Sequence, residues 1–373
     1  MNHRFSLITD EAIASLRSQI GVPSPRPMPY IEEATKDAIR HFAHGMGDRN
    51  ALWTDEDYAR RTRHGDLLGP PCLLYAMDRI VGGYVMGLPG VHAMFAGTDW
   101  EWFQPIRRGK RIVGRSFLKD VIEKRSAFSG RSVQQVYHTD FYDQREARIA
   151  AADSWCIRTQ RDVARDRDKY GYMKVKRWTP EEITAIRAEY AREQIRGATP
   201  RHWEDTHVGE ELPAIIKGPW TPMTSICFVQ GWGGLYIRAN AIAFEMYERH
   251  PALGIPDGHG IPQPPERVHW EDEFAREVGV PAAYDYGPER VSWASNLLTN
   301  WMGDDGFLRK LAVRVERFNI AGDLTRFSGR VTAKYPDADG HPAVDIALQG
   351  TNQRGEISVQ GMAAVTLPWR SQR

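Results

Sequence analysis

The chain repeats itself, and this constrains its architecture more than any local pattern does. Residues 55–60 read Asp-Glu-Asp-Tyr-Ala-Arg and residues 271–276 read Glu-Asp-Glu-Phe-Ala-Arg. Asp143-Gln144-Arg145-Glu146 is echoed by Asn352-Gln353-Arg354-Gly355-Glu356, and Gly109 and Gly322 each open a strand-like run. Tyr58 and Phe274 stand 216 positions apart, Gly109 and Gly322 stand 213 apart, and Gln144 and Gln353 stand 209 apart. So constant a spacing means two tandem copies of one fold. At 373 residues each copy is long enough to bury its own core. The expected division is an N-terminal repeat over 1–165, a charged linker with a helix over 166–200, and a C-terminal repeat over 201–373.

Within each repeat the periodicity changes from helical to alternating. Ile31, Ala34, Ala38, Ile39, Phe42 and Met46 recur at helical spacing, and Thr54 is a plausible cap for a second helix after them. Pro70-Pro71 opens an apolar stretch through Leu74, Met77, Ile80 and Val85 that predicts a buried helix, since proline suits a first turn. Runs at 112–118, 133–142 and 147–157 read as strands. After the charged segment 161–178, Thr179, Pro180 and Glu182 make a capping box for a linker helix ending at Gly197. The second repeat carries a Gly- and Pro-rich insertion near 234–266 and a buried helix from Pro288 to Gly303. Strands follow at 311–318, 324–335, 343–349 and 357–367. Helices first and antiparallel strands afterwards, with one long apolar helix to wrap, predict an α+β fold in which a sheet curls around a central helix.

Composition narrows the function. Lys plus Arg is 49 and Asp plus Glu is 48, a net charge of +1 that argues against duplex nucleic acid as a partner. Cys72, Cys156 and Cys227 lie far apart with neither metal-ligand nor disulfide spacing. There is no secretory signal pattern and no apolar run of membrane-spanning length, so a soluble cytoplasmic protein is expected.

The segment Gly47-Asp48-Arg49-Asn50-Ala51-Leu52-Trp53-Thr54-Asp55-Glu56-Asp57-Tyr58-Ala59 resembles the hydratase-2 signature of the MaoC-like acyl dehydratases, Gly-Asp-x-Asn-Pro-x-His-x-Asp-x-x-Tyr-Ala. His269-Trp270-Glu271-Asp272-Glu273-Phe274-Ala275 is similar to the second half of the same signature. The strands after Gly322 are similar to those that close such a domain. The resemblance implies two tandem hot-dog folds in one polypeptide and (R)-specific hydration of a 2-enoyl-CoA, or the reverse dehydration of a 3-hydroxyacyl-CoA. It implies an Asp and a His that activate one water, and a backbone N–H that receives the enolate charge at the start of the hot-dog helix. No cofactor is implied beyond the CoA carried by the substrate.

Carried over by position, the signature is divided between the repeats. In the first, Asp48 and Asn50 fit, but Trp53 stands where the His belongs, and an indole N–H only donates. Its oxyanion position falls at Pro71, which has no N–H. This repeat is expected to be catalytically degenerate, with a groove that holds part of the substrate. In the second, His269 fits and the oxyanion position is Gly287, but the dyad Asp would fall at Pro264. Asp285, which enters the same helix start, is the preferred carboxylate, with Asp257 in the insertion as another candidate. Glu266 and Glu271 are nearer to His269 in sequence but read as helix-capping residues. Arg290 is the candidate contact for a CoA phosphate. Each of these has a plainer reading as a turn residue, a satisfied loop histidine or a solvated charge.

The leading expectation is therefore a hydro-lyase working through the second repeat. The alternative is a non-catalytic acyl-CoA binding protein, or one whose site is completed by a separate hot-dog subunit. A thioesterase is a third option, since the fold hosts that chemistry too. Two fused copies already make the pair that single hot-dog domains form, and further dimerisation through sheet edges is the expected association.

Overall fold

The structure, a computed structural model, describes residues 6–126, 130–159 and 170–370. Its centre is one nine-stranded antiparallel sheet. The strands are β1 (His92–Trp102), β2 (Ile112–Ser126), β3 (Gly130–Asp143), β4 (Arg148–Thr159), β5 (Ile215–Lys217), β6 (Ile255–Pro256), β7 (Pro262–Gln263), β8 (Phe307–Val315), β9 (Thr325–Pro336), β10 (Pro342–Asn352) and β11 (Ile357–Thr366). The sheet order is β2-β3-β4-β1-β8-β11-β10-β9-β5, while β6 and β7 pair apart from it in the insertion. The order mirrors about the middle, with β1, β4, β3 and β2 on one side and β8, β11, β10 and β9 on the other. The two repeats join where β1 pairs with β8, in a register running from Gly97 opposite Arg314 to Glu101 opposite Lys310. This is the double hot-dog arrangement, and it is α+β as expected.

The helix that each sheet half should wrap is complete only in the second repeat. Gly287–Met302 is a 16-residue helix with almost every side chain buried. It packs on β8, β1 and β9 and on the 3₁₀ turn Pro71–Ala76. It is enclosed on every side: Val291, Ala294, Leu297 and Leu298 are sealed from solvent, and so are Glu289 and Asn296. In the first repeat the apolar run does not make the helix expected through Val85. Only Pro71–Ala76 is helical, as a 3₁₀ turn. Beyond it the Asp78 carboxylate accepts from the N–H groups of Ile80 and Val81, which holds the chain in turns. An apolar run buried in a loop cannot be told from a buried helix by hydrophobicity.

The remaining helices follow their caps. Thr35 starts Lys36–Gly45, Asn50 starts Ala51–Thr54 and Asp55 starts Glu56–Arg61, each by accepting a backbone N–H. The first of these therefore begins later than its apolar spacing implied. The linker helix is Pro180–Tyr190, with the expected Thr179–Glu182 capping box, and it stops short of Gly197. Of the charged segment 161–178, residues 161–169 lie outside the described residues. The Lys36–Gly45 helix packs against Pro222–Trp232 of the other repeat, and glycines let the two backbones touch. A Cβ on Gly45 would meet the Cys227 carbonyl at 2.7 Å, and one on Gly231 would meet the Phe42 Cα at 2.6 Å. No helix among the described residues is long and apolar enough to cross a membrane.

Candidate functional site

Two cavities open at opposite ends of the β1–β8 seam. One, of about 910 Å³, is bordered by Phe95 at the start of β1, Val315 at the end of β8, and His269, Tyr286 and Gly287. The other, of about 530 Å³, is bordered by Trp102 at the end of β1, Phe307 at the start of β8, and Trp53 and Pro71. His269 and Trp53 are 216 positions apart, as are Gly287 and Pro71. The cavities are thus the same site in the two repeats, and each is walled by strands from both.

In the larger cavity, His269 ends the 3₁₀ turn Pro265–His269. Its Nδ1 lies 2.6 Å from the Tyr284 carbonyl. A carbonyl only accepts, so Nδ1 carries the proton and Nε2 keeps its lone pair. The ring lies against Tyr286 with centroids 3.7 Å apart, and against Tyr284 at 5.0 Å. This burial, with Arg290 adding to it, pushes the imidazole pKa down to about 3, while the Tyr284 bond pulls the other way. The ring is therefore neutral near pH 7, with Nε2 its acceptor nitrogen.

Gly287 opens the long helix, where the first N–H groups have no partner within the helix and the dipole favours negative charge. The absence of a side chain is required there, because a Cβ would lie 2.2 Å from Phe95 Cδ1. Phe95 belongs to the first repeat, so that repeat supplies part of the wall beside the second repeat's helix start.

The structure corrects three of the expected roles. Asp285 borders the cavity, but both its oxygens are taken: Arg290 donates to them at 2.5 and 2.7 Å, and Asn319 donates at 3.0 Å. It is a counter-ion, not a partner for His269. Arg290, expected at a CoA phosphate, is 1% exposed. Its Nη1 donates to the carbonyls of Arg317 and Ser358, so four of its five N–H groups are already used inside the protein. The first turn of this helix faces the strands instead of solvent, and a guanidinium there must be paired internally. Asp257 lies half-buried in the inserted hairpin, on the β6–β7 turn, where it accepts from the N–H groups of His259 and Ile261. It too is a turn residue.

Another carboxyl side chain, Glu266, also borders this cavity. Side chains three apart on a 3₁₀ turn eclipse one another, so Glu266 and His269 share a face, and both border the cavity. Glu266 accepts from the N–H groups of Leu235 and Tyr236 and, at 3.3 Å, from the Tyr286 hydroxyl. Burial pushes its carboxyl up, against the pull of those donors and of Arg79. The Pro265 start of the 3₁₀ turn was the available signal, because it places residue 266 one turn before 269.

In the smaller cavity Trp53 and Pro71 stand at the positions equivalent to His269 and Gly287. The Trp53 indole donates to Asp48 at 2.9 Å, and the other Asp48 oxygen accepts from the Asn50 N–H. Asp48 is buried, which raises its pKa. It serves Trp53 and the turn, and lies in the half of the molecule away from His269. Pro71 gives only its carbonyl, which accepts from Trp102.

Residues 18–152 match the family model described as FAS1-like, dehydratase domain region. A UPF0336 protein of Streptomyces coelicolor is 26% identical over 110 residues, which are 28% of this chain and 72% of that protein. A solved structure named MaoC-like dehydratase is 16% identical with a TM-score of 0.65, covering 95% of this chain and 100% of the other. A Mycobacterium tuberculosis protein described as a double hot-dog fold is 10% identical with a TM-score of 0.52, covering 92% of this chain and 96% of the other. The mirrored sheet and these likenesses agree: the chain is a double hot-dog protein with the fold of the MaoC-like dehydratases, and residues 18–152 of its N-terminal half are similar to the FAS1-like dehydratase region.

Proposed function

We propose that this protein hydrates a 2-enoyl-CoA thioester, or dehydrates the corresponding 3-hydroxyacyl-CoA, in the cavity of the second repeat. The observation that carries the reading is the state of His269. Its Nδ1–H is fixed on the Tyr284 carbonyl, so Nε2 is an acceptor on the wall of a cavity that the Gly287 helix start also borders. The dehydratase region matched over 18–152 and the MaoC-like fold support it.

In the hydration direction, His269 Nε2 takes a proton from a water whose oxygen bonds to C3 of the alkene. The electron pair moves through C2 to the thioester oxygen, which draws on the Gly287 N–H and the helix dipole. Glu266, whose burial favours its protonated form, delivers the proton to C2. The proton on His269 then returns to Glu266 through the Tyr286 hydroxyl or solvent. Dehydration is the reverse. No separate cofactor is required, since CoA arrives with the substrate.

The test is turnover of a panel of 2-enoyl-CoAs by the purified chain. His269→Ala and Glu266→Gln should each lower kcat/KM by at least about 100-fold in protein that still unfolds cooperatively, the scale of a lost general acid or base. Trp53→His should restore nothing to the first repeat, because Pro71 still offers no N–H. Full activity in His269→Ala would end this assignment. Turnover only on adding a second hot-dog subunit would favour the partner-dependent alternative.

A further inference from the structure

Four buried arginines invite comparison. Arg79, Arg158, Arg267 and Arg290 are each no more than 4% exposed. Arg290 is paired with Asp285, Arg267 lies 3.5 Å from Glu271 and over the Phe274 ring, and Arg79 donates to three backbone carbonyls and faces Glu266. Arg158 differs. Its Nη2 donates to the Leu88 carbonyl, its Nε is sealed from water without a partner, and no carboxylate among the described residues forms an ion pair with it. The titratable side chains that act on it are Tyr236, Cys156 and Tyr137, none of them an acid. A guanidinium buried with no acid beside it is costly to hold, and the other three each have one: Glu266 faces Arg79, Glu271 lies beside Arg267 and Asp285 pairs with Arg290.

Arg158 also borders the cavity that holds His269. Its place relative to Gly287 follows from the sheet. Phe95 packs on Gly287 and stands opposite Cys156 in the β1–β4 register, and Arg158 is two residues further along β4 on the same face. Crossing one strand pair and two residues puts the guanidinium roughly 10 Å beyond the oxyanion position. The first repeat, which has lost its own catalytic groups, thus places a cation in the second repeat's cavity.

We infer that Arg158 is the anion subsite of this cavity and that the substrate's acyl chain bears a carboxylate remote from the thioester. This deepens the hydratase reading and rests on it for the identity of the thioester. The acyl chain would run from Gly287 past Phe95 and Cys156, with its carboxylate as the missing counter-ion. A CoA phosphate has the same charge, but a diphosphate keeps water around it, and Arg158 is 4% exposed.

The experiment compares saturated, non-reacting acyl-CoAs of matched length with and without a terminal carboxylate, binding the intact chain and its Arg158→Met and Arg158→Lys variants. Calorimetry reads affinity, and free CoA is a third ligand. The wild type should bind the carboxylated ligand at least about 30-fold more tightly, the scale for a buried charge pair. Arg158→Met should erase that preference and leave the neutral ligand unaffected, and Arg158→Lys should keep part of it. Equal binding by the wild type overturns the inference, as does a preference that survives Arg158→Met. Equal weakening of free CoA by that variant would assign Arg158 to a phosphate and also overturn it. If Arg158→Met fails to fold, the wild-type ratio and Arg158→Lys decide. Because these ligands do not react, the result is separable from failure of hydration: turnover without a carboxylate preference sinks this inference alone, and the preference without turnover sinks only the hydratase reading.

Discussion

Acidification should weaken this fold through His269 in a way that one substitution can isolate. The imidazole is held neutral, with its pKa lowered from 6.5 to about 3. Between these values the unfolded chain binds a proton at residue 269 and the folded chain does not, so stability falls as pH falls. Above 6.5 both states are neutral and the fold has its full stability from this source. One proton over this window is worth about 1.4 kcal/mol per pH unit, so going from pH 7.5 to 5.0 costs about 2 kcal/mol. Part of the ring opens to the cavity and is screened there, which brings the expectation to about 1–2 kcal/mol. Asn at 269 keeps an N–H for the Tyr284 carbonyl but does not titrate. Urea unfolding of wild type and His269→Asn at pH 7.5, 6.5, 5.5 and 5.0 should give curves that converge as pH falls, with the wild type losing about 1–2 kcal/mol more than the variant. Parallel pH dependences in the two proteins would refute the reasoning, because they would mean that the imidazole titrates at its ordinary pKa when folded. For the same reason, kcat/KM should show no loss near pH 6.5 from protonation of this base.

Two further outcomes follow from packing in the same region. Gly287→Ala should destabilise by about 1–3 kcal/mol, because the added methyl meets Phe95 at 2.2 Å, and Phe95→Ala in the same chain should recover much of that in urea unfolding. Asp285→Ala should cost about 3–5 kcal/mol, since it strands the buried Arg290, and Asp285→Ala/Arg290→Met should be milder than the single change.

The architecture was legible because it was written twice. Repetition of the Tyr58 and Phe274 segments marked two copies, and alternation such as Val313-Arg314-Val315-Glu316 marked the later strands. β1 escaped because His92–Trp102 has no clean alternation: the strand lies at the seam, with a bulge between Phe95 and Gly97 and neighbours on both edges. The supposed helix through Val85 was a buried loop with the same hydrophobicity as a helix. His269 and Gly287, picked out by the signature, border one cavity, but the carboxyl group that borders it with them was not legible. Asp285 is two residues from Gly287 in the chain, yet at a helix start adjacent side chains diverge, and this one turns to Arg290. Glu266 required knowing that residues 265–269 form a 3₁₀ turn. Arg158 gave no signal at all in an ordinary strand, since its meaning lies in which charges are absent around it.

The seam between β1 and β8 has a consequence for how such a protein changes over time. In a pair of identical subunits, every substitution appears in both sites at once, so neither can drift without the other. Here the covalent link breaks that bond. Trp53 and Pro71 can therefore stand at one end while His269 and Gly287 stand at the equivalent positions of the other. The two ends are still not independent, because the first repeat contributes Phe95 to the wall beside Gly287.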